Sequence, residues 1–137
     1  MTGAGYVLDA SVAIKMVVAE AGSPQARQLR RHRLVAPDLL WPECANILWK
    51  AVRRGDLALP EAELACATLL QLPFEVVESA TLLPAALRRA AALDHPAHDC
   101  LYLELAAREG LPLVTADRRL RALAVPGVAV IGLDDLP

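Results

Sequence analysis

Tyr6-Val7-Leu8-Asp9-Ala10-Ser11-Val12 opens the chain with three apolar residues, an acid, and then a helix-compatible stretch. The apolar run reads as a short buried strand. Asp9 or Ser11 is placed to cap the helix that follows, whose apolar contacts come from Val12, Ile14, Met16 and Val17. The same alternation recurs along the sequence. Leu34-Val35-Ala36, Phe74-Glu75-Val76-Val77, Leu113-Val114-Thr115 and residues 128–131 read as four further strands. Between them lie helical stretches. Ser23-Pro24 pairs an N-cap with a first-turn proline and starts a helix to about Arg33. Residues 40–54 carry Leu40, Cys44, Ile47, Leu48 and Ala51 on one stripe and stop at Gly55, a C-cap signal. Pro60-Glu61 opens a helix that ends before Pro73. Ser79 caps residues 80–93, Pro96 opens a helix to Glu109, and a short one follows from Asp117 to Leu123. Strands alternating with helices predict an α/β fold with a parallel sheet covered on both faces.

At 137 residues the chain is long enough for one core, and a single domain spanning 1–137 is expected. Apolar residues make up 55% and aromatics only 4%, so Leu, Ala and Val must build the interior, with some left over to meet a partner. No stretch nears the roughly 20 apolar residues of a membrane span, and the start lacks a signal-like pattern; no membrane contact and a cytoplasmic location are expected. Cys44, Cys66 and Cys100 show no metal-binding spacing and read as buried free thiols. The net charge of −2 argues against broad nucleic-acid affinity. Twelve of the fourteen basic residues are nevertheless Arg, most of them clustered at 27–33, 53–54 (with Lys50), 88–89 and 118–121, and Arg suits bidentate contact with phosphate.

Asp9, Glu43, Asp99 and Asp117 each fall where an α/β fold brings residues to one edge of the sheet, beyond the carboxyl ends of the strands, where ligands bind. Singly, each has an ordinary use as a helix cap or a partner of the helix dipole. Together they conflict: two carboxylates ~5 Å apart repel by roughly 3 kcal/mol at an effective dielectric near 20. A divalent ion, Mg²⁺ or Mn²⁺ held against a phosphate, removes the conflict. Ser11 and Thr115, two residues from Asp9 and Asp117, are placed to steady that shell, and Asn46 shares a helix face with Glu43. His95 and His98 make a weaker case for zinc, and Trp41 and Trp49 read as packing residues. Two other readings stay open. One is a non-catalytic α/β interaction module whose acids only cap helices. The other is a phosphatase or phosphotransferase with Asp9 as nucleophile, although Ser11 stands where such sites often carry a second acid.

Four stretches, in order, resemble the acidic motifs of PIN-domain ribonucleases: Val7-Leu8-Asp9-Ala10-Ser11; Glu43-Cys44-Ala45-Asn46-Ile47-Leu48; His95-Pro96-Ala97-His98-Asp99-Cys100-Leu101-Tyr102-Leu103; and Leu113-Val114-Thr115-Ala116-Asp117. The chain's length is similar to that of the VapC-type toxins of bacterial type II toxin–antitoxin systems. Two positions depart from the family pattern: His98, where an aromatic residue is common, and Arg119, where some members carry an acidic or polar one. The resemblance implies a three-layer α/β/α sandwich whose five-stranded parallel sheet is ordered 3-2-1-4-5. It implies Mg²⁺- or Mn²⁺-dependent endonucleolytic cleavage of RNA by a homodimer, neutralised by a cognate antitoxin. In that reading Asp9, Asp99 and Asp117 hold one or two ions, and Glu43 binds directly or through water. Ser11, Asn46 and Thr115 support them, Lys15 or Arg118 holds an adjacent phosphate, and the Arg clusters attract the RNA.

Overall fold

The computed structural model describes residues 5–136. Its sheet contains β1 (Gly5–Leu8), β2 (Arg33–Pro37), β3 (Phe74–Val77), β4 (Leu113–Thr115) and β5 (Val130–Gly132), all parallel, in the order β3-β2-β1-β4-β5. This is the expected α/β arrangement and strand order. The flanking helices are α1 (Ala10–Ala13), α2 (Ser23–Gln28), α3 (Leu40–Arg54), α4 (Leu59–Gln71), α5 (Leu83–Leu93), α6 (Ala97–Glu109) and α7 (Arg118–Arg121). No helix among the described residues is long and apolar enough to cross a membrane.

Strand β1 is central, so both faces of Val7 and Leu8 are covered and neither is exposed. The register pairs Leu8 with Val114. The next residue on each strand is therefore Asp9 and Thr115, and the two carboxyl ends deliver an acid and a hydroxyl side by side. Helix α3 buries Leu40, Cys44, Leu48 and Ala51, the stripe legible in the sequence, and ends at Gly55, whose φ of 83° requires glycine. Helix α6 differs: Cys100 to Ala106 are all buried. It packs against β1, β2, β4 and α5, and a helix covered on every side carries no amphipathic stripe.

Three local readings are corrected. Ser23 is not an N-cap; Gly22, at φ 90°, holds that position, and the buried Ser23 hydroxyl donates to Val18 O and accepts from Glu20 N–H, closing the preceding loop. That helix stops short of Arg33, which already belongs to β2. Ser79 does not cap α5, which starts at Leu83 with Pro84 in its first turn. Ser79 instead ties the ends of β2 and β3 together: its N–H donates to Asp38 Oδ1 and its hydroxyl accepts from Leu39 N–H. Among the cysteines, Cys44 and Cys100 are buried and Cys66 is half-buried, and all three are free.

Candidate active site

Asp9, Glu43, Asp99 and Asp117 line one cleft of about 360 Å³, together with Ala10, Ser11, Asn46, Ile47, Lys50 and His98. Four elements supply the acids. Asp9 follows β1 and caps α1, and Asp117 lies two residues past β4 and caps α7. Glu43 and Asp99 stand in the first turns of α3 and α6. Capping and convergence thus coexist. Asp117 Oδ1 accepts from the N–H groups of Arg119 and Leu120, at 2.8 and 3.2 Å. Asp9 Oδ1 accepts from Val12 N–H at 3.3 Å.

Asp9 is the most constrained of the four. Only 6% of it is exposed. Ser11 donates to one carboxylate oxygen and Thr115 to the other. Each hydroxyl oxygen in turn accepts a backbone N–H, from Ala116 at 2.9 Å and Asp117 at 3.0 Å. Loss of hydration pushes the Asp9 carboxyl up to about 6; the hydrogen bonds from Ser11, Thr115 and Val12 oppose that rise, and the charge of Asp99 adds to it. A carboxylate buried with both oxygens engaged is poorly placed as a nucleophile, which weighs against phosphoryl transfer to Asp9.

Two partners of the acids were not legible in the sequence. The buried Tyr102 hydroxyl donates to Glu43 Oε1 at 2.6 Å, joining α6 to α3. Burial raises the Glu43 carboxyl, the Tyr102 bond opposes this, and the Tyr102 hydroxyl is itself raised by burial and by Glu43. His95 Nε2 lies 2.7 Å from Asp99 Oδ2, and His98 Nε2 lies 3.5 Å from Oδ1. Asp94, in the left-handed region at φ 52°, ends α5 and turns the chain so that His95 faces the next helix. The signal for Tyr102 was its position three residues after Asp99, on the same helix face; its partner on α3 had none.

No three carboxylate, imidazole or thiol groups among the described residues already stand close enough to enclose one ion. The donor set still suits a hard cation. It is rich in carboxylate oxygen, the ligand type Mg²⁺ and Mn²⁺ prefer, and it includes a desolvated acid that a nearby cation would return to its ionised form. The two histidines reach Asp99 and offer no separate zinc site.

The expected phosphate contacts sit elsewhere. Lys15 and Arg118 line a neighbouring pocket of about 270 Å³ with Gly22, Thr115, Ala116, Arg121 and Gly132, beyond the carboxyl ends of β4 and β5. Lys15 is already engaged, donating to Glu20 at 3.1 Å and to Ala21 O at 2.8 Å. Five of the twelve arginines are likewise paired among the described residues: Arg33 with Glu75 and Glu109, Arg54 with Asp56, Arg89 and Arg108 with Glu104, Arg121 with Asp135.

The fold has counterparts. Among solved structures, PAE2754 from Pyrobaculum aerophilum is similar at 28% identity and TM-score 0.75, with 96% of this chain and 85% of that one covered. VapC20 of Mycobacterium tuberculosis, a Sarcin-Ricin loop cleaving toxin, is 16% identical at TM-score 0.67, covering 90% and 98%. A DNA-bound VapBC from Salmonella typhimurium is 17% identical at TM-score 0.64, covering 96% and 99%. No curated protein matches the sequence. The PIN domain family matches residues 6–126, the stretch holding every strand but the last and all four acids, and the chain therefore belongs to the PIN domain family.

Proposed function

We propose that this protein is a metal-dependent endoribonuclease and the toxin of a toxin–antitoxin pair. One observation carries the reading: four acids dispersed over more than a hundred positions line a single cleft at the carboxyl edge of the sheet. The toxin role draws support from the structural relatives, among them a toxin that cleaves the Sarcin-Ricin loop and a toxin–antitoxin complex from Klebsiella pneumoniae.

Asp9, Asp99 and Asp117, with Glu43, would hold Mg²⁺ or Mn²⁺. When bound, such an ion polarises a phosphodiester and supplies a water nucleophile near neutral pH. The chain's own part is positioning. Ser11 and Thr115 fix both oxygens of Asp9, Tyr102 holds Glu43 and His95 holds Asp99, so the acids present their remaining lone pairs from rigid elements. Asn46 offers an amide beside Glu43 for the substrate backbone. In the adjoining pocket Lys15 is tied down and Arg118 is the freer hand for a phosphate flanking the cut. Exposed Leu64, Leu70, Leu83 and Leu87, and the apolar groove at Trp49 and Leu59, provide surface for an antitoxin and a second copy of the chain. The working compartment in this reading is the cytoplasm.

The test is cleavage of single-stranded RNA and DNA, side by side, in Mg²⁺ or Mn²⁺. The intact protein should cut RNA and the purified Asp9→Asn variant should not. RNA cut by that variant at the normal rate would remove the assignment, and preferential cutting of DNA would change the substrate.

A further inference from the structure

Four carboxylates outweigh a single divalent ion, so the cleft keeps a residual charge that disfavours the phosphates it is proposed to cut, and a cationic side chain within it would offset that remainder. Helix α3 carries three basic residues near its C-terminal end, and they meet different fates. Arg54 is held by Asp56 at 2.9 Å. The Arg53 guanidinium lies 5.5 Å from the centroid of the Trp49 ring. Among the described residues Lys50 has no carboxylate partner and is the one lysine or arginine that lines the cleft.

Its spacing explains why. Glu43, Asn46, Ile47 and Lys50 fall at 0, 3, 4 and 7 along one helix and all line the cleft, as one helical face requires. Seven residues place Lys50 about 10 Å from Glu43 along the axis. A strand with its scissile phosphate at the acids and its path along α3 therefore brings a further phosphate to the lysine.

We propose that Lys50 is the substrate-phosphate contact of the carboxylate cleft, so that single-stranded RNA enters along the Glu43-Asn46-Lys50 face of α3. This rests on the nuclease reading of the cleft and adds a direction to it. A flexible ammonium on a long stem suits the role: it binds phosphate as a point charge without reading sequence.

The test separates the two readings. Binding of a labelled single-stranded RNA is followed by anisotropy against salt, using full-length Asp117→Asn protein in Mg²⁺ so that cleavage is off. One phosphate contact on a single strand contributes a slope of about 0.7 in log affinity against log salt, which is about fourfold in affinity at 0.15 M relative to 1 M. Adding Lys50→Met should remove that slope and weaken binding about fourfold at 0.15 M. Lys50→Arg should restore both, and Arg53→Gln, which removes the same charge one turn on, should leave both in place. In the cleaving protein, Lys50→Met should raise KM by the same factor and leave kcat unchanged. An unaltered slope, or an equal loss from Arg53→Gln, overturns the role of Lys50 and leaves the nuclease reading standing. Asp117→Asn protein that binds no RNA overturns both.

Discussion

Asp9→Asn should stabilise the metal-free fold at neutral pH while it abolishes cleavage. The folded Asp9 carboxyl is pushed up to about 6 from its ordinary 3.8. Between those values the folded chain binds more protons than the unfolded one, so stability falls as pH rises. The contribution is fully present below 3.8 and is lost by the time pH passes 6. The difference of about two pKa units amounts to about 3 kcal/mol of ionisation cost at pH 7.5. Asn does not ionise and escapes that cost. It has its own: its NH₂ must face Ser11 or Thr115, whose oxygens already accept from Ala116 and Asp117 N–H groups, a mismatch of about 1 kcal/mol. The net gain is about 2 kcal/mol at pH 7.5, or about 6 °C in Tm for a chain of this size. Below pH 4 only the mismatch is left, so the order reverses, with the curves crossing near about pH 4.5. Urea melts of both proteins in chelator, from pH 4 to pH 8, would measure this. A variant less stable than wild type at pH 7.5, or a difference that does not change with pH, would refute the account of Asp9 as a desolvated acid.

Other outcomes follow from the same geometry. Mn²⁺ should raise the Tm of the partner-free protein, and the rise should shrink as pH falls through 6, where Asp9 takes up a proton that competes with the ion; a scanning-fluorimetry grid of metal against pH checks it. Tyr102→Phe removes the donor to Glu43 Oε1; it should cost about 1 kcal/mol in urea melts and lower kcat more than it raises KM. His95→Leu removes the hydrogen bond to Asp99 Oδ2; Mn²⁺ affinity by calorimetry should fall about 10- to 100-fold, whereas His98→Leu, at an exposed position 3.5 Å from the other oxygen, should weaken it less.

Where the sequence reading succeeded, the pattern was local. Apolar runs of three or four residues bounded by turn signals became strands, and Gly55 and Gly110 ended helices in the left-handed conformation. Where it failed, a contact outside the local pattern had redirected a residue. Ser79 has the chemistry of an N-cap but bonds across to Leu39 and Asp38. Lys15 has the charge of a phosphate contact but is captured by Glu20 and Ala21 O. Some of the clustered arginines met acids far away in sequence, such as Arg33 with Glu109 and Arg89 with Glu104.

The sequence by itself determined the class of fold, the order of its elements, and the four acids at element ends, because backbone conformation and hydrophobic period are encoded within a few residues. Only the tertiary structure decided how those acids are held. The parallel register between β1 and β4 sets Thr115 beside Asp9. The burial of α6 on every side brings Tyr102 up to Glu43, and the face of α3 sends Lys50 rather than Arg53 into the cleft. These depend on the relative placement of residues as far as 59 and 106 positions apart, fixed by packing of the whole core and written in no short stretch of the chain.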